Sequence, residues 1–422
     1  MKTAIVLSGG GAKGAYQIGV WYALKKMHVN YDIVTGTSVG ALNGCFMVQK
    51  DFIKALYMWY NIDFNKIFDE EFEAQYNTSD GKKEIIKKFA KGMILDGGMN
   101  VSKLENIVDK YVNIRKFYKS RIDFGLVTVN LTNLKARSMT KKNIPQNKLK
   151  DYLLASATCF PAFKTKKIDD KTYIDGGYYD NLPINLAVEM GADNIIAVDL
   201  RSVGLKRRIK YKDIKLTVIV PRNDLGSFLV FNPDLARRAM KFGYNDTMKV
   251  YKKLDGNKFT FRRKTLDAVY NRYSTNISSS VNEIFNYKTQ RKSILKKLVS
   301  LRKYNKLILN DNEKGVKKIL LDNIEYIGKI FELDESRIYD LDKFNRIILS
   351  RLRRVEELNY SLIQEKIKVK KVRSLLNNKT IIKYIYEKIE NCNDDSCKKE
   401  LCIIAGLLPK EFLAALYLSV IS

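Results

Sequence analysis

The first half of the chain alternates short β-favouring runs with amphipathic helical runs. Thr3–Leu7 is a strand-like run, and Ala15–Lys26, which follows a group of glycines, carries apolar residues at helical spacing. The same order recurs when Ile33 and Val34 lead through a second glycine turn into the apolar run Ala41–Val48. Such alternation predicts an α/β fold in which helices cover both faces of a mainly parallel sheet.

Two further strands and a helix continue this pattern. Asp123–Val129 and Ile195–Leu200 are predicted strands, and the second is preceded by the helical run Ile184–Met190 and the turn Gly191–Asp193. Residues 52–118 separate the second strand and helix from the next strand. We expect this insertion to be mostly helical.

The spacing of apolar residues changes in the second part of the chain. Apolar residues there recur three and four positions apart between basic residues, as at Ile347, Ile348 and Leu352. The pattern therefore predicts an α/β domain at 1–264 and an all-α region at 265–422.

The most apolar segment of the chain is Leu401–Ile421. Pro409, Lys410 and Glu411 divide it into two parts, and neither reaches the ~20 residues that span a bilayer. We expect two helices packed on the rest of the helical region. Because the apolar run Ala4–Leu7 is too short for the core of a signal peptide, the expected location is cytoplasmic.

The chain is strongly basic, with 76 Lys and Arg against 46 Asp and Glu. Residues 201–422 hold 48 of the basic and 25 of the acidic side chains. A basic half can adsorb to an anionic membrane or to nucleic acid, or it can present solvated lysines on long helices. Of the two partners we expect peripheral contact with the membrane and no nucleic acid. The five cysteines follow neither a disulfide framework nor a zinc spacing, so we expect no metal.

The first candidate for chemistry is the serine of Gly36-Thr37-Ser38-Val39-Gly40, between a predicted strand and a predicted helix. That context is the one a nucleophile elbow requires. Gly36 and Gly40 remove Cβ atoms that would clash in a sharp turn, and the helix N-terminus offers N–H groups to an oxyanion. A purely structural glycine turn would have the same sequence, but the flanking elements favour Ser38 as a nucleophile.

A nucleophilic serine needs a base, which is usually histidine. The only histidine, His28, precedes Ser38 and follows the first predicted helix, where its ring suits the helix dipole. We expect His28 to lie at the surface and a carboxylate to serve as the base. Asp175 fits best, because Gly176 and Gly177 let the backbone fold closely beside it.

A third glycine-rich segment, Gly9–Gly14, follows the first strand directly. Its consecutive glycine N–H groups can form a nest for an anion, and Lys13 adds a positive charge. Its first, third and sixth residues also match the dinucleotide-binding fingerprint. That fingerprint requires an acidic residue at the end of the second strand, whereas Asp32 comes before this strand.

These three motifs, in this order and without a usable histidine, resemble those of the patatin-like phospholipase family. The resemblance covers roughly residues 1 to 260. Gly9–Gly14 is similar to the family's oxyanion loop, Gly36–Gly40 to its nucleophile motif, Asp175–Gly177 with Asn181 and Pro183 to its catalytic aspartate segment, and Ala155, Ser156 and Pro161 to the short segment before it.

The resemblance implies a three-layer α/β/α domain that hydrolyses lipid acyl esters, of the phospholipase A or lysophospholipase type. It implies Ser38 as nucleophile and Asp175 as base, with no metal and no cofactor. The residues assigned to the oxyanion site are Gly9, Gly10, Gly11 and Lys13, and those that support the motifs are Gly36, Gly40 and Gly176.

Two other classes of function remain open at this stage. A nucleotide-binding oxidoreductase would use the glycine loop Gly9–Gly14 but would leave Asp175-Gly176-Gly177 without a role. A non-catalytic scaffold on membrane or nucleic acid would explain the basic half but not three ordered motifs.

Overall fold

The computed structural model divides the chain into two compact units, Met1–Val250 and Tyr251–Ser422. The residues it describes are 1–69, 81, 98–272, 313–356 and 377–422.

An eight-stranded sheet forms the centre of the first unit. Its strands are β1 (Thr3–Leu7), β2 (Ile33–Thr37), β3 (Asp123–Asn130), β4 (Lys135–Thr140), β5 (Lys166–Ile168), β6 (Lys171–Asp175), β7 (Asn194–Val198) and β8 (Lys215–Ile219). They follow the order β5-β6-β3-β2-β1-β7-β8, and β4 also pairs with β3. Five strands, β3, β2, β1, β7 and β8, are parallel to their neighbours in this order. The other three pair antiparallel: β4 and β6 with β3, and β5 with β6. The predicted mainly parallel α/β sheet is confirmed.

Helices cover both faces of this sheet. They are α1 (Ala15–Lys26), α2 (Val39–Gln49), α3 (Phe52–Tyr60), α4 (Ser102–Tyr111), α5 (Ile114–Lys119), α6 (Leu149–Ser156), α7 (Ile184–Glu189) and α8 (Pro233–Val250). Four consecutive residues of β1, Ala4 to Leu7, are at most 1% exposed. Since neighbouring strand residues point to opposite faces, both faces are covered, as a three-layer domain requires.

The predicted helical insertion at 52–118 contains α3, α4 and α5 in its described part. Residues 70–80 and 82–97 of this insertion lie outside the described residues.

The second unit is helical, as predicted, and also contains a small sheet. Its helices are α9 (Glu313–Ile330), α10 (Leu341–Arg353), α11 (Asn378–Glu390), α12 (Asp395–Leu407) and α13 (Pro409–Ile421), and its strands are β9 (Leu254–Asp255), β10 (Thr260–Arg262) and β11 (Ile338–Tyr339). Residues 273–312 and 357–376, also expected to be helical, lie outside the described residues.

The second unit begins earlier than the boundary after residue 264 that the spacing suggested. The reason is aromatic packing. Phe259 and Phe261 are buried, and their ring centroids lie 5.5 Å and 5.2 Å from that of Phe344 on α10. A short strand with two core aromatics carries no helical period, so the periodicity could not assign it to the helical unit.

The apolar segment Leu401–Ile421 forms part of a helix pair, α12 and α13, as predicted. Leu401, Phe412 and Leu418 are fully buried within the second unit. Across the described parts of the chain, every helix is too short or too polar to cross a bilayer.

Candidate active site

Ser38 occupies the turn between β2 and α2. Its backbone lies at φ 57° and ψ −131°, outside the regions that residues other than glycine usually adopt. A Cβ atom on Gly36 would lie 2.4 Å from the carbonyl carbon of Gly40, and one on Gly40 would lie 2.3 Å from the carbonyl oxygen of Leu7. Only glycine fits at both positions, so the turn has the tight geometry of a nucleophile elbow.

Strand β3 brings Asp175 to the same place. β2 ends at Thr37, which pairs with Val127, and β6 ends at Asp175, which pairs with Thr128. β4 pairs with Val127 and Thr128 along one edge of β3, so β2 and β6 both pair along its opposite edge. Because β2 is parallel to β3 and β6 is antiparallel to it, these two strands run towards each other. Their ends meet at neighbouring residues of β3, where a Cβ atom on Gly176 would lie 2.1 Å from the Val127 carbonyl oxygen.

The carboxylate of Asp175 is buried and hydrogen bonded. The N–H of Gly177 donates to Oδ1 at 2.7 Å, and the Ser38 hydroxyl lies close enough to the same carboxylate to lower its pKa. Burial raises the pKa of Asp175 to about 6, against the lowering effects of the Ser38 hydroxyl and the Gly177 N–H. A carboxylate with this pKa is ionised at neutral pH and is a stronger base than an exposed aspartate.

The glycine loop between β1 and α1 offers two N–H groups to a ligand. No hydrogen bond among the described residues uses the N–H of Gly10 or Gly11. Both residues line the cavity that Ser38 and Asp175 also line. Two such N–H groups beside a nucleophile can donate to an oxyanion.

Two other residues of the predicted oxyanion site are placed differently. The N–H of Gly9 donates to both Oδ1 and the carbonyl oxygen of Asn181 at 3.1 Å, so it is not available to a substrate. Lys13 is not part of the cavity lining. Its N–H donates to the carbonyl oxygen of Gly10 at 3.2 Å and so closes the turn that presents the loop.

Ser156 and Asn181 hold these segments together, a role that the sequence did not predict. The N–H of Ser38 donates to the Ser156 hydroxyl at 3.0 Å, and this hydroxyl donates to the carbonyl oxygen of Val127 at 2.7 Å. Asn181 accepts from Gly9 through Oδ1 and donates through Nδ2 to the loop after β7. Both residues lie in segments that resemble those of the patatin-like phospholipase family, and this resemblance was the only sign of their importance. The sequence does not show which atoms they bond.

Ser38, Asp175, Gly10 and Gly11 all line one cavity of about 690 Å³. Apolar side chains of α2, α3 and α4 form much of the remaining wall, together with the loops that follow α6 and precede α8. Among them are Leu42, Phe46, Ile107, Phe163 and Phe231. A wall of this composition fits an acyl chain.

His28 and Asp32, the acidic residue considered for a dinucleotide site, both lie away from this cavity. His28 is exposed after α1, as predicted, and it does not line the cavity. The Asp32 carboxylate accepts the N–H of Thr3 at 2.9 Å, at the amino end of β1. The glycine loop follows the carboxyl end of β1. Asp32 therefore lies at the opposite end of the strands from this loop and cannot complete a dinucleotide site. Within the described ranges, no cluster of His, Cys, Asp and Glu is placed to hold a metal ion.

Comparison with known proteins gives one family match. Residues 5–188 match the family model described as patatin-like phospholipase. Over 218 residues the chain is 30% identical to human patatin-like phospholipase domain-containing protein 6, an alignment that covers 47% of this chain and 13% of that protein.

Two further relatives give similar values. The chain is 28% identical over 214 residues to patatin-like phospholipase domain-containing protein 7 of Mus musculus, covering 47% of this chain and 14% of the relative. It is 26% identical over 214 residues to lysophospholipase nte1 of Neurospora crassa, covering 48% and 12%. The chain thus spans a small part of each relative. The solved structure of VipD from Legionella pneumophila aligns at 14% identity over 100% of this chain and 91% of its own, with a TM-score of 0.35.

Proposed function

We propose that the chain, whose residues 5–188 form a patatin-like phospholipase domain, hydrolyses carboxylic esters of lipids with Ser38 as nucleophile and Asp175 as base. The observation that carries this proposal is the proximity of the Ser38 hydroxyl to the buried Asp175 carboxylate, whose pKa it lowers, in the lining of one largely apolar cavity. A nucleotide-binding oxidoreductase has no use for this pair, and the position of Asp32 removes the acidic residue it would need.

In the first half of the reaction, Asp175 accepts the proton of the Ser38 hydroxyl while the serine oxygen attacks the ester carbonyl carbon. The carbonyl oxygen becomes an oxyanion that accepts hydrogen bonds from the N–H groups of Gly10 and Gly11. When the tetrahedral intermediate collapses, Asp175 returns the proton to the leaving alcohol, and the acyl group remains on the serine.

In the second half, a water molecule replaces the alcohol and the sequence runs again. Asp175 accepts a proton from the water as its oxygen attacks the acyl-serine, and the serine leaves with that proton. Because the raised pKa of Asp175 brings it nearer to the working pH, one carboxylate can serve as base and then as acid without a histidine.

The substrate proposed is a phospholipid or lysophospholipid, cleaved in the manner of a phospholipase A or a lysophospholipase. The apolar wall supports an acyl chain in the cavity. A relative named lysophospholipase, 26% identical to this chain, supports the same class.

The test uses a fluorophosphonate probe and a short-chain nitrophenyl ester. The wild-type chain should be labelled and should hydrolyse the ester, whereas Ser38→Ala should lose labelling and Asp175→Asn should lose at least about 10⁴-fold in turnover. Ser202 is the matched control, because it is the other serine among the described residues that line the cavity. Ser202→Ala should still be labelled, and labelling that disappears with Ser202 and not with Ser38 contradicts the proposed nucleophile.

A further inference from the structure

A basic loop connects β7 to β8 at the carboxyl edge of the sheet, the edge that also carries Ser38. Residues 201–212 of this loop contain six basic and no acidic side chains. All six are exposed: Arg201, Lys206, Arg207, Arg208, Lys210 and Lys212.

Hydrogen bonds fix this loop to the segment that carries Asp175. The N–H of Leu205 donates to the carbonyl oxygen of Gly177 at 2.8 Å, and the N–H of Asn181 donates to the carbonyl oxygen of Leu205 at 2.5 Å. Further along, Asn185 donates to the carbonyl oxygen of Arg208 and accepts from the N–H of Lys210, both at 3.0 Å. The exposed side chains therefore have a fixed position relative to the catalytic aspartate.

The tip of the loop forms part of the cavity rim. Val203 and Leu205 both line the cavity, yet they are 91% and 63% exposed, and Tyr178 beside them is 47% exposed. Side chains that belong to a cavity wall and still face solvent mark its opening. Apolar side chains this exposed are unfavourable in water and are typical of a surface that meets an apolar partner.

Most of the basic side chains around this rim lack an acidic partner. Lys206 pairs with Asp199 at 2.7 Å, and the guanidinium of Arg207 lies 4.6 Å from the ring centroid of Tyr179. Arg201, Arg208, Lys210 and Lys212 form no ion pair with any carboxylate of the described residues. They can therefore bind anions at the surface.

We propose that residues 201–212, with Tyr178, are the surface by which the chain docks on an anionic lipid bilayer. Val203 and Leu205 enter the headgroup and acyl boundary, while the surrounding Arg and Lys side chains pair with lipid phosphates. The cavity then opens directly at the interface, so a lipid can pass from the bilayer to Ser38 without crossing water. This last step rests on the proposed function, but the docking itself does not.

Nucleic acid fits this surface less well than a bilayer does. A single strand would need aromatic side chains on which bases stack. The surface carries two partly exposed aromatic side chains, Tyr178 and Tyr211, at 47% and 39%. Its most exposed apolar side chains, Val203 and Leu205, are aliphatic, so they offer no stacking face and are suited to acyl chains.

The test measures binding to vesicles in a Ser38→Ala background, so that hydrolysis cannot consume the lipid and a failure of catalysis leaves the result readable. The full chain is sedimented with phosphatidylglycerol and phosphatidylcholine vesicles at low and high salt. The loop variant carries Arg208→Glu, Lys210→Glu and Lys212→Glu, none of which lines the cavity. The control variant carries Lys2→Glu, Lys119→Glu and Lys142→Glu, exposed lysines near the amino ends of β1 and β3, at the opposite edge of the sheet.

Both variants change the net charge equally, so they separate the loop from the general basic character of the chain. Each basic residue near such a surface multiplies the partition coefficient by about five. Loss of three of them should make the loop variant bind phosphatidylglycerol vesicles on the order of 100-fold more weakly than the parent, and much more weakly than the control variant. Binding should also fall with salt. Equal losses in the two variants, or no loss in either, overturn the proposal.

Two further measurements address insertion and the alternative partner. A Val203→Trp variant should show a blue shift of emission and quenching by brominated phosphatidylglycerol, whereas the parent chain, whose two tryptophans Trp21 and Trp59 are buried, should show neither. An unshifted spectrum contradicts insertion of the tip. Loss of binding to a mixed-sequence DNA oligonucleotide in the loop variant, with vesicle binding unchanged, would assign the loop to nucleic acid and overturn the proposal.

Discussion

The backbone N–H of Ser38 donates a 3.0 Å hydrogen bond to the side-chain hydroxyl of Ser156. Ser156 is fully buried, and its hydroxyl in turn donates to the carbonyl oxygen of Val127. Val127 pairs with Thr37, the residue before Ser38. The hydroxyl of Ser156 therefore ties the strained turn at Ser38 to the strand against which β2 and β6 both end.

We expect Ser156→Ala to lower kcat about tenfold with little change in KM. The substitution leaves the N–H of Ser38 without its partner, which costs about 1–3 kcal/mol and loosens the turn that aims the nucleophile. The rate of fluorophosphonate labelling should fall in parallel. Thr158→Val is the matched control, because the Thr158 hydroxyl bonds only to the carbonyl oxygen of Leu154 in the same segment. A loss of kcat in the control as large as that in Ser156→Ala would make the effect one of general stability.

The pH dependence of hydrolysis should follow the ionisation of Asp175. Its carboxylate must be unprotonated to accept the serine proton, and burial raises its pKa to about 6. We expect kcat/KM to fall about tenfold per pH unit below pH 6 and to reach a plateau above it, measured with a substrate that does not titrate in this range. A profile that is flat from pH 5 to pH 8 contradicts Asp175 as the base.

The same shift predicts an effect on stability. Because the pKa of Asp175 is higher in the folded chain than its ordinary value of 3.8, the folded state binds more protons between about pH 4 and pH 6, and stability falls as pH rises through that window. Asp175→Asn keeps an oxygen that can accept from Gly177 but carries no charge. We expect it to be more stable than wild type at pH 8, by on the order of 1–3 kcal/mol, and to lose this advantage near pH 4.

The measurement is urea unfolding followed by tryptophan fluorescence. Trp21 and Trp59 are the only tryptophans of the chain, and both lie in the first unit, so the signal reports on the unit that contains Asp175. Equal stability of the two proteins at pH 8 would mean that burial of the carboxylate carries no cost.

The sequence predicted the parts of the site that depend on local chain geometry. Ser38 could be proposed as nucleophile because two glycines at a strand–helix junction form a recognisable pattern. Asp175 could be proposed as base because the only histidine precedes Ser38 and this carboxylate stands beside paired glycines. The parallel strands around β1 were predicted for a similar reason, since their buried runs are continuous.

The rest depends on contacts between distant segments. β5 and β6 are short antiparallel strands without a strong period, so the meeting of β2 and β6 along β3 could not be predicted. The bonding of Gly9 could not be predicted, because Asn181, which accepts its N–H, lies far away along the chain. The sequence showed basic character only for the second half as a whole. It did not show that the basic residues of 201–212 surround two exposed apolar side chains, Val203 and Leu205.

His28→Asn should leave hydrolysis unchanged. His28 is exposed and has a backbone φ of 54°, a conformation that asparagine tolerates better than most residues, so this variant removes the imidazole without straining the turn. We expect kcat/KM within about twofold of wild type, the range of ordinary surface substitutions. A large loss in this variant, with unfolding free energy unchanged, would point to a hidden Ser–His pair.

Asn181 should control both the glycine loop and the ionisation of Asp175. Its Oδ1 holds the N–H of Gly9 at 3.1 Å, and a Cβ atom on Gly177 would lie 3.1 Å from Asp175 Oδ1 and 3.2 Å from Asn181 Oδ1, so the two oxygens flank one residue. Asn181→Ala removes the acceptor and should lower kcat by about 10-fold or more, because the donors at Gly10 and Gly11 lose their support.

Asn181→Asp gives a different signature from Asn181→Ala, and the difference separates positioning from simple damage. It keeps an oxygen that accepts from Gly9, but it places a second negative charge near Asp175, and a like charge raises the pKa of a carboxyl group. The pH–rate profile should therefore shift above 6 while the plateau stays higher than in Asn181→Ala. Asn185→Ala is the control, since it loses hydrogen bonds only to the loop at Arg208 and Lys210 and should not move the profile. If Asn181→Asp and Asn181→Ala lose activity equally at every pH, Asn181 serves only the stability of the fold.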